Sequence, residues 1–320
     1  MRLMIAVAAL AVASVATAQS PARPDWHLVS GSFEPGRGPD GNSVFLDAPD
    51  GLILVDTGRH PAHRDRLLAY ARDRGRPIAA IVNTHWHLDH STGNAEIRAE
   101  HPAAQLYTSN AIDGALSGFL QRSRASIQRQ LEAGQVPERN RAEVQRAFQA
   151  LDNPAALRPT RPITRSGAVR IAGRRLHANL APFAVTEGDV WIHDRAARLV
   201  IAGDLVVAEV PFMDTACPEG WRRALDAIAA TRFDTLIPGH GAPMSRAQFL
   251  TWRTAFNNLL DCGASDLAKA ECVAGWMRDA SAFIAPERRE FISQYADYYV
   301  ESRLRAAPDE RRRYCVGGGG

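Results

Sequence analysis

Residues 83–90 read NTHWHLDH and place His85, His87, Asp89 and His90 within six positions. Imidazole and carboxylate are the donors that borderline divalent cations take, zinc first among them. On an extended segment, side chains two apart point the same way, so His85 and His87 present their rings to one side. Asp89 and His90 follow where the chain must turn. One or two cations held there would lower the pKa of bound water toward about 7 and supply hydroxide at neutral pH. A lone histidine is more often a surface or core residue, but four donors straight after a buried strand point to a metal.

The elements that must hold these donors follow from period and punctuation. NSVFLDAPDGLILVDTG, residues 42–58, puts two apolar, β-branched runs around a turn signal and predicts a hairpin. HPAHRDRLLAYARDRGR has apolar residues at helical spacing and ends at Gly75. PIAAIVN is then a buried strand, and the histidine cluster begins where it stops. Strand, helix, strand and ligand loop make an α/β pattern with the chemistry at strand ends.

Residues 109–152 read instead as an amphipathic helical insertion with a joint near QVPE. Strand signals return in AVRIAGRRLHANLA, DVWIHD and RLVIAGDLVV. A short helix, WRRALDAIAAT, leads to DTLIPGHG, a strand that ends in another histidine. From about Ser245 to 315 the chain reads as mostly helical, and the final VGGGG, 316–320, as a disordered tail. Strand–helix–strand runs in both halves hint at two similar lobes.

Met1 to Ala18 has one early positive charge, a short apolar run and small residues at Ala16 and Ala18. This predicts a secretory signal peptide cleaved after Ala18, leaving residues 19–315 as one domain in the periplasm or outside the cell. The apolar run is shorter than the roughly 18 residues of a bilayer span, so no stable membrane anchor is expected after cleavage. Lys+Arg 38 against Asp+Glu 35 is nearly balanced, and the basic residues are scattered among acids, which argues against a nucleic-acid partner. A small-molecule substrate is expected. In an exported chain the four cysteines favour disulfides: Cys262 with Cys272 across a short helix-joining segment, leaving Cys217 with Cys315.

His85, His87, Asp89 and His90 after one strand, Gly203-Asp204 after a second and Pro238-Gly239-His240 after a third resemble the signature of the metallo-β-lactamase-fold hydrolases. The resemblance covers roughly residues 40–245. It implies an α/β fold, a four-layer αβ/βα sandwich with metal between the sheet edges, here with the helical insertion and the helical carboxy-terminal region added. It implies that His85 and His87 bind a first ion, that Asp89, His90 and His240 bind a second, and that Asp204 bridges them. Asp56, at the end of LILVD, would support the ligand loop.

One residue departs from the pattern. The family completes the first site with a histidine in a GHTxGD-like segment; here the matching stretch is FAVTEGD, with Val185 in that place. Thr186, Gly188 and Asp189 fit. The first site is then weak and completed by solvent, or empty, or completed by a substitute such as Glu187, His177, His193 or Cys217. The second site is expected to be the tighter.

The resemblance implies a metal-dependent hydrolase in which activated hydroxide attacks an ester, thioester, lactone or amide, with Asp89 holding the nucleophile and accepting its proton. A β-lactamase, an iron-dependent enzyme similar to sulfur dioxygenases, and a non-catalytic metal-binding relative stand as alternatives.

Overall fold

The computed structural model describes residues 25–34 and 36–315, so the expected signal segment and the terminal glycines lie outside it. Two six-stranded sheets form the centre. The first holds β1 (Trp26–Val29), β2 (Ser43–Ala48), β3 (Gly51–Val55), β4 (Ile78–Val82), β5 (Gln105–Thr108) and β6 (Arg161–Pro162) in that order. The second holds β7 (Gly167–Ile171), β8 (Arg174–Pro182), β9 (Gly188–Asp194), β10 (Leu199–Val207), β11 (Thr235–His240) and β12 (Met244–Ser245), in the order β12-β11-β10-β9-β8-β7. The expected hairpin is β2–β3, closed with Ala48 opposite Gly51 across Pro49-Asp50. A helix, Pro61–Asp73, then carries the chain across to β4, which pairs parallel with β3.

Alternation along the strands builds the layers. Val44 and Leu46 of β2 and Ile53 and Val55 of β3 face the second sheet, meeting Val190 and Ile192 of β9 and Leu199 of β10. Phe45, Leu52 and Leu54, on the opposite face, pack under Leu67 and Ala71 of the helix Pro61–Asp73. Burying each such side chain stabilises the fold by about 1.5–3 kcal/mol. The far face of the second sheet is covered by helices Pro218–Ala229, Arg246–Gly263 and Lys269–Asp279, through Trp221, Trp252, Phe256 and Trp276. Helix, sheet, sheet, helix is the four-layer sandwich that the resemblance implies.

Helices Ala111–Ser117, Phe119–Glu132 and Glu138–Asp152 lie between β5 and β6. Leu120 joins Trp86, Ile112 and Leu157 in a small apolar cluster of their own. Glu138–Asp152 contributes no buried residue. Its ties to the body include ion pairs, Glu143 with Arg59 at 2.8 Å and Arg146 with Glu96 at 2.9 Å. Disulfides join Cys262 to Cys272 and Cys217 to Cys315, the two expected pairs. Among the described residues, no helix is long and apolar enough to cross a membrane.

Candidate metal centre

Five of the six candidate donors follow or end a strand, and Asp204, expected after a strand, lies inside one. β4 stops at Val82; His85 follows, His87 precedes the helical turn Leu88–Ser91, and that turn carries Asp89 and His90. Asp204 lies in β10 and His240 ends β11. Glycines let these segments meet. A Cβ on Gly239 would stand 1.9 Å from Asp204 Oδ1, and Gly203 has φ 54° with Thr84 directly against it.

The structure gathers all six predicted residues into two groups that share Asp204. Asp89, His90, Asp204 and His240 offer atoms within 4.8 Å of one another, as do His85, His87 and Asp204. His90 Nε2 is 3.1 Å from Asp204 Oδ1, His240 Nε2 is 3.1 Å from Asp89 Oδ2, and the two Nε2 atoms are 3.3 Å apart. Donors bound to one ion at about 2.1 Å and tetrahedral angles stand about 3.4 Å apart, so this spacing fits a coordination shell. His85 Nε2 and both carboxylate oxygens of Asp204 are buried without a hydrogen-bond partner. Buried polar atoms are rarely left so, and a cation would satisfy all three.

Neighbouring side chains fix which nitrogen faces the centre. His90 Nδ1 donates to Asp56 Oδ2 at 2.8 Å, turning Nε2 inward. Asp56 has φ 59°, outside the usual range for a residue with a side chain, and its carboxylate also takes the Thr84 N–H and the Thr84 hydroxyl, each at 2.8 Å. Thr84 Oγ1 in turn lies 3.0 Å from His85 Nδ1. His87 is held the other way round: its Nε2 donates to Thr215 Oγ1 at 2.9 Å, leaving Nδ1 for the centre.

Charge separates the two groups. Burial holds His85 well below the usual histidine range and lowers His87 as well, so both rings are neutral. Burial would lower His90 and His240 too, but Asp204 and the other carboxylates outweigh it, holding His90 well above the usual range and His240 at about 9. Burial would raise Asp204, yet His240 and His90 keep it well below the carboxylate range. The carboxylates of this corner require positive charge.

Val185 is fully buried in the apolar cluster outside the second sheet. Around it Thr186 and Asp189 form the expected turn, the Asp189 carboxylate taking the Thr186 N–H at 2.9 Å. The side chains weighed as substitute ligands are engaged elsewhere. Glu187 accepts from Trp86 Nε1, His177 pairs with Asn179, His193 reaches the Arg232 carbonyl and Cys217 is in a disulfide. The group on this side therefore has three side-chain donors.

Three contributors carry no signal in the sequence. Thr215 bonds the Val185 carbonyl as well as His87. Arg59 lies 3.8 Å from Asp89 and pairs with Glu143. Asp214 accepts from Tyr299 Oη at 2.8 Å. Arg59, Asp214 and Tyr299 line a chamber of about 380 Å³ with His87, Asp89 and Asp204 on its floor.

The profile described as the metallo-beta-lactamase superfamily matches residues 36–240. A linear primary-alkylsulfatase from Pseudomonas sp. (strain ATCC 19151) is 24% identical over 225 residues, which are 63% of this chain and 41% of that protein, so the chain spans about two fifths of that relative's length. Among solved structures, a metallo-beta-lactamase family protein from Thermus thermophilus superposes with a TM-score of 0.58 at 19% identity, covering 87% of this chain and 94% of that one. A sec-alkyl sulfatase, PisA1, gives 0.54 at 16% identity over 81% and 47%. A metallo-beta-lactamase from Pontibacter korlensis gives 0.52 at 17% identity over 72% and 93%. With the profile spanning most of the sheets and all six candidate donors, the chain belongs to the metallo-beta-lactamase superfamily, whose members are mostly hydrolytic metalloenzymes.

Proposed function

We propose that this is an exported zinc hydrolase acting on an ester, thioester, lactone or amide bond. The observation that carries the reading is the pair of donor groups meeting at Asp204, whose buried oxygens have no hydrogen-bond partner. Asp89, His90, Asp204 and His240 would hold one ion tightly; His85, His87 and Asp204 would hold a second more loosely, since Val185 supplies no donor. Zinc bound there supplies Lewis acidity for the scissile carbonyl and hydroxide at neutral pH.

The chain's own residues do the rest. Asp89 orients the attacking water and accepts its proton, with Arg59 near its other oxygen. Asp56, Thr84 and Thr215 hold the three histidines of the loop in fixed tautomers. The helices of 111–152 narrow access to the floor and exclude water. Export is supported by the two disulfides, which persist in oxidising compartments; the mature chain would begin at Gln19.

The test is metal content and turnover together. Protein purified without added zinc is expected to hold about one tight equivalent and to take a second weaker one. It should cleave members of a panel of activated esters, thioesters and lactones in a chelator-sensitive way. Iron with oxygen uptake, or inertness of the fully loaded protein, would overturn the proposal.

A second reading is hydrolysis of a sulfate ester at the same centre. It is favoured by the names of two relatives, a linear primary-alkylsulfatase and a sec-alkyl sulfatase. Release of inorganic sulfate from dodecyl sulfate, compared with release of acid from a dodecanoyl ester, separates the two.

A further inference from the structure

Above the donor groups, the chamber is walled from three directions by apolar side chains. Helix Phe119–Glu132 turns Phe119, Leu120 and Ile127 toward it, at helical spacing, and helix Glu138–Asp152 adds Val144 and Ala147. Opposite them stands an aromatic wall. Phe33 packs against Phe212 at 5.1 Å and against Tyr295 at 5.6 Å between ring centres. Trp86 and Leu88 complete the floor beside His87 and Asp89.

Charge in the chamber is one-sided. Among the described residues lining it, Arg59 is the one Lys or Arg, and its guanidinium is already paired with Glu143 and close to Asp89. Glu143 and Asp214 add negative charge on the walls. A carboxylate on the bound molecule, away from the scissile bond, would meet no available cation and two acids. Burying an unpaired charge among these aromatic and aliphatic groups is strongly unfavourable.

We infer that the chamber takes an apolar chain bearing no anionic group away from the reactive bond, so that the substrate is a long-chain acyl or alkyl compound whose reactive bond sits over His87, Asp89 and Asp204. This rests on the hydrolase reading for the position of the bond, but not for the chemistry of the chain. The volume of about 380 Å³ is at the small end of ligand sites and enough for one such chain.

The test separates binding from turnover. With metal removed, the uncharged fluorophore N-phenyl-1-naphthylamine should bind, and linear alcohols from butanol to decanol should displace it more strongly as they lengthen. Kinetically, kcat/KM for p-nitrophenyl esters from acetate to decanoate should rise about two- to fourfold per added methylene until the chamber fills. An ester of equal length ending in a carboxylate should be poorer than decanoate by roughly tenfold or more. Ile127→Asp and Val144→Asp replace partly buried wall residues and should flatten both chain-length series. Ile127→Ala and Val144→Ala should weaken them if the charged variants fold poorly. Leu267→Asp, an exposed position outside the chamber, should change neither series.

Turnover without chain-length preference, equal use of the carboxylate-ended ester, or alcohols displacing the fluorophore regardless of length would overturn the inference while leaving the hydrolase reading in place. Alcohol displacement in order of length, with no ester cleaved by the metal-loaded protein, would support the inference and remove the hydrolase reading.

Discussion

Thr215 Oγ1 lies 2.9 Å from His87 Nε2 and donates its own proton to the Val185 carbonyl, also at 2.9 Å. The segment that lacks the family's histidine thus still acts on the centre, through its backbone and one hydroxyl. Thr215→Val keeps the shape and removes both bonds. It is expected to weaken binding of the looser ion about 10- to 100-fold, the usual cost of losing a ligand's hydrogen-bonded partner, and to leave the tighter ion unchanged. A two-phase zinc titration by calorimetry checks this; equal weakening of both phases would remove Thr215 from the role.

His240→Ala and His85→Ala should differ in the same titration. His240 belongs to the four-donor group, whose carboxylates require positive charge, and His85 to the three-donor group. His240→Ala is expected to abolish the tight phase, and His85→Ala to remove the weaker one. The opposite order would reverse the assignment of the complete site.

Much of the centre was legible because its motifs are local. NTHWHLDH follows β4 and PGH ends β11, while GD, expected after a strand, lies within β10 where its register is irregular; the apolar runs before them identify those strands. The helices of 111–152 were legible as helices, but not in what their apolar faces do. Glu138–Asp152 buries nothing; Val144 and Ala147 turn toward a chamber rather than a core. Thr215 and Arg59 were not legible at all. A threonine 128 positions from its histidine partner has no periodicity to mark it, and its role exists only once the two sheets have packed.

The ion pairs tying Glu138–Asp152 to the body make stability depend on pH. Burial would raise Asp40, but hydrogen bonds from the His60 ring and from the backbone N–H groups of His60 and Arg59 hold it at about 2, against 3.8. Burial would raise Glu143 too, and His60 and Arg59 hold it at about 2, against 4.5. Burial lowers His60, but Asp40 and Glu143 outweigh it and the pKa is raised above 6.5. The two carboxylates therefore stabilise the fold above their unfolded values, and that contribution is lost as pH falls toward about 2. The His60 contribution is complete below 6.5 and is lost as pH rises through the raised value. Thermal melts should peak between about pH 5 and 6.5, and His60→Gln should reduce the alkaline decline, the remainder belonging to His90 and His240. An unchanged alkaline limb in that variant would show that another group causes it.

Opening the Cys217–Cys315 bond frees a loop of 98 residues. The double variant Cys217→Ser, Cys315→Ser is expected to lose about 2–4 kcal/mol in denaturant unfolding. Because Cys217 stands two positions beyond Thr215, the looser zinc phase should weaken as well. Full stability with both serines in place would mean that packing alone secures this end of the chain.

That bond also sets an order of events. Cys315 lies well beyond His240, the last of the six donors, and Tyr314 beside it leans on Phe119 at 6.5 Å. All six donors precede Tyr314 and Cys315 in the chain, so they can meet before the bond that holds Tyr314 against Phe119 has closed. Capture of an ion needs no oxidant, whereas the brace on Phe119 does.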